Sequence, residues 1–465
     1  MPNSATPAFA RRGAVFAAGH LGELTWQIPV ELVDAVLAET RTAERRLRAL
    51  PSRVGVYFVL ALCLFPGLGY RKVWAKLTAA PRGRKTPSAK AFRDLRRRLG
   101  AAPMRALFEV LAGPVAAPHT PGVRFGRYRT VAFDGCVSFK VPDTDRNRSW
   151  LGKLRASLGT TGYPVIRLMT VVETGTRALL GAVFGAPATG EIDYARTLLP
   201  LLRTDMLVLV DRGFDAEAFL TDLAGTGAQF LARLRNNRKL PVLARLDDGS
   251  HLSRIGELAV RIITADLTVT CADGTRYTAT YRLATTLCDP RHYPARRLIA
   301  VYHERWEHEI AYLALHHTLA EHRVLRSADP AGLEQELWAL LAVYQALRRA
   351  MVTAIESRPG TDPDRASFTT ALETAKDLLV NVVNVTDDTD LVGRIGQAVL
   401  ADLLPPRRPR TSVRKVKSPL SRYNKKDPYR PDPSTRITSI TATINDPEPK
   451  HATREPKSLT TALGP

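Results

Sequence analysis

The stretch Met206–Phe214 reads MLVLVDRGF. Its five leading apolar residues run without a break and stop at Asp211. A short, continuous apolar run is typical of a β-strand that is buried on both faces of a sheet. A helical pattern follows at residues 216–227 (AEAFLTDLAGTG), and another strand pattern occupies residues 228–235 (AQFLARLR). This alternation of strands and helices predicts an α/β fold.

Three strand patterns precede this stretch. Residues 128–142 (YRTVAFDGCVSFKVP) alternate and end at a proline, as a strand does. Residues 165–185 (VIRLMTVVETGTRALLGAVFG) have the pattern of a hairpin of two strands, and residues 191–202 (EIDYARTLLPLL) have a helical pattern. The full order, β-β-β-α-β-α-β-α, predicts an RNase H-like core.

Two aspartates interrupt the predicted strands. Asp134 lies inside the first strand, and Asp211 ends the central one. A charged side chain among buried strands is unfavourable unless it is paired or bound to a metal ion. Acids at strand ends of open α/β sheets also lie where ligands bind. The alternative interpretation is that each acid caps a turn or a helix.

Residues from about 236 to 290 do not fit a compact α/β core. They contain short strand patterns separated by DDG and ADG turn signals. We therefore predict a β-strand-rich insertion between the last core strand and the next helical segment.

That helical segment, residues 300–317, reads AVYHERWEHEIAYLALHH. A zinc-protease helix needs HExxH, but His303 and Glu304 are followed by His308, one residue too late. At about 100° per residue, one narrow stripe contains four polar or aromatic groups: Tyr302, Arg305, Glu309 and His316. The same geometry predicts that Glu304, Glu307 and Ala311 face solvent.

The spacing Tyr302-x2-Arg305-x3-Glu309-x6-His316 resembles the Y-(2)-R-(3)-E-(6)-K signature of DDE transposases in the insertion-sequence-four family. Asp134 and Asp211 match the first two catalytic aspartates of that family, and a β-rich insertion before the glutamate is also one of its features. The resemblance covers roughly residues 20–350 and includes a helical N-terminal domain. His316 replaces the family lysine, and an imidazole is a weaker fixed charge near neutral pH.

The resemblance implies a metal-dependent phosphoryl-transfer site. Two divalent ions, Mg²⁺ or Mn²⁺, would be held by Asp134 as a shared ligand, with Asp211 and Glu309 each completing one site. The implied reaction is hydrolysis at the transposon end, followed by attack of the freed 3′-OH on DNA, with a hairpin intermediate in relatives. Tyr302, Arg305 and His316 would contact DNA near the cut.

The resemblance also implies partners. These are double-stranded DNA, as terminal inverted repeats and target, and a second copy of the chain in a synaptic homodimer. Trp306 is a candidate to stack on an unpaired base, although a core aromatic residue is an equally good interpretation.

The charge distribution supports a polyanionic partner. The 465-residue chain has a formal net charge of +22, and most of the excess lies at its two ends. Residues 1–115 contain 19 Lys and Arg against 7 Asp and Glu, and residues 405–465 contain 14 against 5. We predict four regions: a helical DNA-binding domain at 1–115, the catalytic domain at 116–350, C-terminal helices at 351–404, and a basic, disordered tail at 405–465.

Further DNA contacts are predicted within these basic regions. One helical face carries Arg93, Arg96 and Arg97 together with Lys90, although a merely solvated face is the alternative. Weaker candidates follow the first strand or lie in the tail: Lys140, Arg146, Asn147, Arg414, Lys415 and Lys417.

The remaining composition argues for a cytoplasmic protein without a membrane partner. The four cysteines form no CxxC pair, so neither a zinc ribbon nor a disulfide framework is indicated. The longest apolar run, residues 54–66, is too short to span a bilayer. The leading hypothesis is an active transposase. The alternatives are a nuclease that cuts without joining and a catalytically inert DNA-binding derivative.

Overall fold

The N-terminal region is helical. The computed structural model describes residues 20–44, 46, 48–78, 86–153, 155–156, 159–160, 162–272, 274–380, 392–405 and 437–445. Its first five α-helices are α1 (Val30–Glu39), α2 (Ser52–Leu64), α3 (Tyr70–Leu77), α4 (Ala89–Leu99) and α5 (Ala102–Leu111). The apolar run at residues 54–66 lies in and just after α2, which is almost wholly buried. Among the described residues, no helix has the length and apolar character needed to cross a membrane.

One mixed sheet dominates the rest of the chain. Its core strands are β1 (Arg124–Phe125), β2 (Tyr128–Lys140), β5 (Val165–Glu173), β6 (Leu179–Gly185), β7 (Met206–Val210) and β8 (Gln229–Arg233), while β3 (Arg155–Ala156) and β4 (Gly159–Thr160) pair separately. The spatial order is β6-β5-β2-β7-β8. Strands β2, β7 and β8 run parallel to one another. Strand β5 is antiparallel to β2, and β6 is antiparallel to β5, so β6 runs in the same direction as β2. The predicted α/β fold is therefore confirmed.

The insertion extends this sheet rather than forming a separate unit. It contributes β9 (Ala244–Arg245), β10 (His251–Ile255), β11 (Leu258–Cys271) and β12 (Arg276–Thr285). Strand β12 pairs antiparallel with β8, so the order continues β8-β12-β11-β10-β9. Thr285, Ala284 and Leu283 lie opposite Leu231, Ala232 and Arg233. The insertion therefore shares the hydrogen-bonded ladder of the core.

The C-terminal tail also contributes a strand, which corrects the predicted disorder for residues 437–445, while residues 406–436 and 446–465 lie outside the described residues. Strand β13 (Ile437–Ile444) pairs antiparallel with β11 over Ala265 to Cys271. The physical reason is visible in its sequence, ITSITATI, because β-branched residues favour an extended chain that can extend an exposed sheet edge.

Helices cover both faces of the sheet. Helices α6 (Asp145–Leu151), α7 (Glu191–Leu198) and α8 (Glu217–Gly225) follow the early strands, and α7 and α8 pack on a cluster that includes Val131, Val208 and Phe230. The helical segment of the signature consists of α9 (Ala295–Tyr302), a 3₁₀ turn (His303–Arg305), α10 (Trp306–Leu313) and a π-helical turn (Ala314–Leu319).

The long helix α11 (Pro330–Glu356) joins the N-terminal helices to the catalytic region. It contacts α2 and α5, and it packs with α12 (Phe368–Val380) and α13 (Gly393–Ala401) in one hydrophobic cluster. The predicted boundary at residue 350 falls inside this helix. The helical N-terminal region and the signature segment are therefore held against one shared core.

Candidate active site

The sheet register brings the two aspartates together. In the parallel pair of β2 and β7, Ala132 lies opposite Leu209. Asp134 follows Ala132 by two residues, and Asp211 follows Leu209 by two residues. Burial raises the pKa of Asp134, and the nearby carboxylate of Asp211 raises it further, so the two carboxylates lie close enough to interact. The sequence prediction that these acids belong to one site agrees with this arrangement.

Local hydrogen bonds explain how each aspartate is held. Asp211 Oδ1 accepts a hydrogen bond of 2.6 Å from the Gly213 amide and so caps the 3₁₀ turn that follows β7. Asp134 Oδ1 accepts one of 2.9 Å from the Gly135 amide. The capping interpretation therefore holds for Asp211. It leaves the second carboxylate oxygen of each aspartate outside these bonds, so capping and a functional role are compatible.

Helix α10 brings Glu309 to the aspartates, and its half-exposed side chain faces solvent beside them. Two buried residues on the same helix fix its position. Tyr312 donates a hydrogen bond of 2.8 Å to the Asp134 carbonyl, and His308 Nε2 lies 2.9 Å from Thr170 Oγ1. Sequence reasoning missed both anchors, although their spacing of four residues places them on one helical face.

The site concentrates negative charge in a buried place. Burial raises the pKa of Asp134 to about 7, with Asp211 and Glu309 adding to the shift and Arg305 opposing it. His308 is fully buried, and this burial lowers its pKa to about 3, so its imidazole is neutral. Its Nδ1 lies 3.9 Å from Asp134 Oδ2. The histidine therefore contributes no positive charge, and the acids depend on Arg305 for one.

Arg305 is the cation between the acids. Its Nη1 lies 3.6 Å from Asp134 Oδ2 and its Nη2 lies 3.9 Å from Glu309 Oε1. The guanidinium also lies 5.0 Å from the ring centre of the half-buried Trp306. Its buried Nε has no hydrogen-bond partner among the residues that the structure describes. Arg305 is therefore close to the acids without being saturated by them.

Tyr302 has a different place from the one predicted. It is buried, with 3% of its surface exposed, and its hydroxyl donates a hydrogen bond of 3.2 Å to the Val210 carbonyl, immediately before Asp211. The prediction of a direct DNA contact is wrong for this conformation. The hydroxyl instead fixes the end of β7, because a buried phenol needs a hydrogen-bond acceptor.

The helical wheel also misplaced Glu307 and Ala311, which are both buried. Glu307 accepts a hydrogen bond of 2.6 Å from Arg177 Nε. The wheel assumes one uniform twist, but a 3₁₀ turn interrupts the segment after Tyr302 and a π-helical turn ends it. These turns, together with the packing of α10 against β2 and of the π-helical turn against α11 and α12, decide which face is buried.

The predicted basic face on α4 is only partly exposed. Lys90, Arg93 and Arg97 face solvent, but Arg96 is buried. Arg96 donates to Gln335 Oε1 at 2.8 Å and to Tyr70 Oη at 2.7 Å. Its prediction as a DNA-contacting residue is therefore wrong, because its donors bond the N-terminal helices to α11.

The weaker candidates divide in the same way. Lys140 and Arg146 are exposed. Asn147 is buried and donates to the carbonyls of Pro142 and Ser327, so its prediction as a DNA contact is wrong. Arg414, Lys415 and Lys417 lie outside the described residues.

A fourth carboxylate adjoins the site, and sequence reasoning missed it. Glu191 begins α7, and a Cβ at Gly135 would lie only 2.5 Å from its Oε1. A side chain at position 135 would therefore displace this carboxylate from its present position. Burial raises the pKa of Glu191, and Asp211 adds to the shift. Arg167 Nη1 lies 3.5 Å from Glu191 Oε1 and supplies the opposing charge. No sequence pattern connects position 191 to the signature.

Comparisons with known proteins identify the family of this chain. The family model described as "Insertion element 4 transposase N-terminal" matches residues 18–109, and the one described as "Transposase DDE domain" matches residues 126–346. The chain belongs to the DDE transposases of the insertion-sequence-four family. The DDE domain implies an RNase H-like core, as the strand order predicted.

Two curated relatives of this transposase come from Escherichia coli K12. The transposase InsG for insertion sequence element IS4 is 26% identical over 416 residues, which cover 83% of this chain and 90% of InsG. The putative transposase InsZ is 26% identical over 202 residues, which cover 43% of this chain and 66% of InsZ.

One solved structure is distantly similar to this transposase. It is the cryo-EM structure of a piggyBac transposase synaptic complex with hairpin DNA. The sequence identity is 11% and the TM-score is 0.41, with 82% of this chain and 84% of that chain covered.

Proposed function

We propose that this transposase binds the terminal inverted repeats of its own element and performs metal-dependent DNA cleavage and strand transfer by a cut-and-paste route. The observation that carries the proposal is the gathering of Asp134, Asp211 and Glu309 where β2, β7 and α10 meet. The family assignment supports the same chemistry, since a DDE domain is defined by three such acids.

The three acids fit a hard divalent cation. Their donors are carboxylate oxygens, which Mg²⁺ and Mn²⁺ prefer. The raised pKa of Asp134 supports the fit, because it reflects a buried carboxylate that faces two further carboxylates. We propose two ions per site, with Asp134 shared and with Asp211 and Glu309 each completing one set. Bound there, the ions would neutralise phosphate charge and lower the pKa of an attacking water.

The protein groups around the acids would position the DNA. Arg305 carries a fixed positive charge and an unpartnered buried Nε, which suits contact with a phosphate oxygen once DNA is bound. Trp306 lies against Arg305 and is half-buried, so part of its ring remains accessible for stacking on a base. Tyr302 would act indirectly by holding the β7 end that carries Asp211.

More distant basic groups would bind the DNA backbone. Lys90, Arg93 and Arg97 on α4 and Lys140 at the end of β2 are exposed. Lysine and arginine contacts to phosphates supply affinity that does not depend on base sequence. By analogy with transposases that act on paired ends, we propose a homodimer in the complex with DNA.

The second candidate function is a derivative that binds DNA without cutting it or cuts without joining. The observation that favours it is His316, which stands in place of the signature lysine and whose pKa is lowered chiefly by burial. A neutral imidazole would supply no fixed charge to a phosphate.

The test is a cleavage and joining assay on labelled duplexes taken from the DNA that flanks the gene. The wild-type chain is expected to cut the 3′ ends with Mg²⁺ and to join them to a target duplex. Asp211→Asn is expected to bind and not to cut. Asp205→Asn is the matched control, because Asp205 is an exposed aspartate just before β7, at its opposite end.

The outcomes separate the candidates. Binding without cutting by the wild type would favour the inert derivative, and cutting without joined product would favour the nuclease. Equal cutting by Asp211→Asn and wild type would overturn the assignment of the acids.

A further inference from the structure

Three histidines meet just beyond the proposed active site. His316 and His317 lie in the π-helical turn at the end of the signature segment, and His322 follows it. Each offers a ring nitrogen, and these nitrogens all lie within 4.8 Å of one another. The ring centres of His317 and His322 are 3.6 Å apart, and those of His316 and His322 are 5.0 Å apart. The three imidazoles therefore form one compact group.

The backbone turns back to complete this group. The His322 amide donates a hydrogen bond of 3.0 Å to the His316 carbonyl. Glu321 and His322 have φ angles of 50° and 55°, in the left-handed region that non-glycine residues rarely occupy. These two residues reverse the chain so that the His322 ring lies against the other two. Uncommon backbone conformations of this kind persist where the surrounding structure determines them.

His316 presents one nitrogen in the form that binds metal ions. Its buried Nε2 has no hydrogen-bond partner among the described residues. The ring also makes a hydrogen bond with the backbone of Ser138. Since Nε2 makes none, Nδ1 is the nitrogen that donates to the Ser138 carbonyl, which leaves Nε2 with a free lone pair. Metal-binding histidines commonly donate their other ring N–H to a backbone carbonyl in this way.

The donor set selects a class of ion. Three imidazoles suit Zn²⁺ and its neighbours Co²⁺, Ni²⁺ and Cu²⁺, whereas Mg²⁺ prefers oxygen. Nitrogens bound to Zn²⁺ at about 2.0–2.1 Å in tetrahedral geometry lie roughly 3.4 Å apart. His317 and His322 are exposed, so rotation of their side chains can close the remaining gap.

We propose that His316, His317 and His322 form a binding site for a Zn²⁺-class ion, separate from the three acids. The role that we give this metal site in DNA binding rests on the proposed function. His316 takes the place of the signature lysine, seven residues after Glu309, or roughly 10 Å along a helix. A bound dication there supplies the fixed positive charge that a neutral imidazole lacks. Its remaining coordination position is available to a phosphate oxygen of DNA.

The first experiment measures metal binding without DNA. Chain prepared without a histidine tag and stripped with EDTA is titrated with Co²⁺ while its visible absorption is recorded. We expect one equivalent to bind with the intense bands of tetrahedral Co²⁺. His317→Ala and His322→Ala should lose these bands. His119→Ala, an exposed histidine elsewhere, and Asp211→Asn, in the acid site, should retain them.

The result that overturns the site is equally specific. Absence of tetrahedral bands in the wild type would overturn it, and so would bands that survive both His317→Ala and His322→Ala. Neither result depends on cutting, so failure of this site is distinguishable from failure of the proposed function.

The second experiment tests the role of the ion in DNA binding. Affinity for the terminal duplex is measured against salt, with and without Zn²⁺. Zn²⁺ is expected to strengthen DNA binding by the wild type. It should also steepen the slope of log affinity against log salt concentration by about 1, as one added phosphate contact does. Without Zn²⁺, His316→Lys should bind the terminal duplex as tightly as the wild type does with Zn²⁺. Adding Zn²⁺ should not change the affinity of this variant. Equal Zn²⁺ responses in the wild type and in His317→Ala would overturn the role.

Discussion

Two glutamates on helix α10 have opposite surroundings, although they are two residues apart. Glu307 is buried and is bonded at 2.6 Å to Arg177, which also bonds Asp364 at 2.6 Å. Glu309 is about half exposed, and Arg305 Nη2 lies 3.9 Å from its Oε1. The first glutamate has a short ion pair inside the protein. The second lies at the surface beside two aspartates.

The difference separates a structural acid from the one for which we propose a function. A buried carboxylate with a close arginine partner is already satisfied, and it has no capacity left for a metal ion or a phosphate. The acids around Glu309 remain crowded with like charge, as the raised pKa of Asp134 records. We infer that a partly exposed carboxylate beside other carboxylates is the one that a metal ion can use.

The largest effect is expected from Glu309→Gln. The change keeps the shape of the side chain and removes a proposed metal ligand, so the transition state loses several kcal/mol of stabilisation. We expect single-turnover cutting of the terminal duplex to fall by about a thousandfold or more. Thermal unfolding should be almost unchanged, because exposed substitutions usually alter stability by less than about 0.5 kcal/mol. Cutting within a few-fold of the wild-type rate would break the comparison.

Glu307→Gln is the matched variant and should affect stability instead. It removes one partner of a buried ion pair, a change that typically costs about 3–5 kcal/mol. Because Arg177 keeps Asp364, we expect a loss near the lower end of that range. Urea unfolding measures it, and the folded fraction should still cut DNA. A stable Glu307→Gln protein that cannot cut would reverse the roles of the two glutamates.

The pH dependence of folding stability should reflect the ionisation of the Asp134 carboxyl group. Burial raises its pKa from 3.8 to about 7 in the folded state. Between about pH 4 and pH 7 the folded protein therefore holds a proton that the unfolded chain has released. The contribution of this carboxyl group to folding stability is complete below about pH 4 and is lost as pH rises through about 7. Asp134→Asn has no such proton.

The stability of Asp134→Asn relative to the wild type should therefore increase between pH 4.5 and pH 7.5, by up to a few kcal/mol. Unfolding in urea without divalent ions measures it. A difference that stays constant across this range would contradict the buried, crowded state of Asp134.

The smallest effect is expected from Tyr302→Phe. It removes the hydrogen bond from the tyrosine hydroxyl to the Val210 carbonyl and leaves the buried ring in place. We expect a loss of about 1 kcal/mol in unfolding free energy. The affinity for the terminal duplex should be unchanged, since the hydroxyl faces the sheet. A large loss of DNA affinity with normal stability would restore the direct DNA contact that the signature implied.

The sequence predicted the elements whose patterns are local. The apolar run at Met206–Val210 identified the central strand, and the signature spacing identified Glu309. These features depend on residues close together in the chain, so single-sequence patterns contain them.

Long-range contacts explain what the sequence did not predict. Arg96 is buried because its partner Gln335 comes from a helix 239 residues away. Strand β13 pairs with β11 across more than 160 residues of chain, although its alternating β-branched residues did carry a local signal. The carboxylate of Glu191 occupies space that a side chain at Gly135 would fill. In each case a residue or strand that is distant in the sequence determines the burial or the pairing, and local sequence patterns do not identify that partner.

One measurement tests the three-acid site most directly. Mn²⁺ binding to the complex of the chain with its terminal duplex is titrated by electron paramagnetic resonance, for the wild type and for Asp134→Asn. The proposed site predicts that the wild-type complex binds Mn²⁺ at the acids and that Asp134→Asn loses this binding while it still binds the duplex. Equal Mn²⁺ binding by the two complexes would contradict the claim that Asp134 holds the catalytic metal ions.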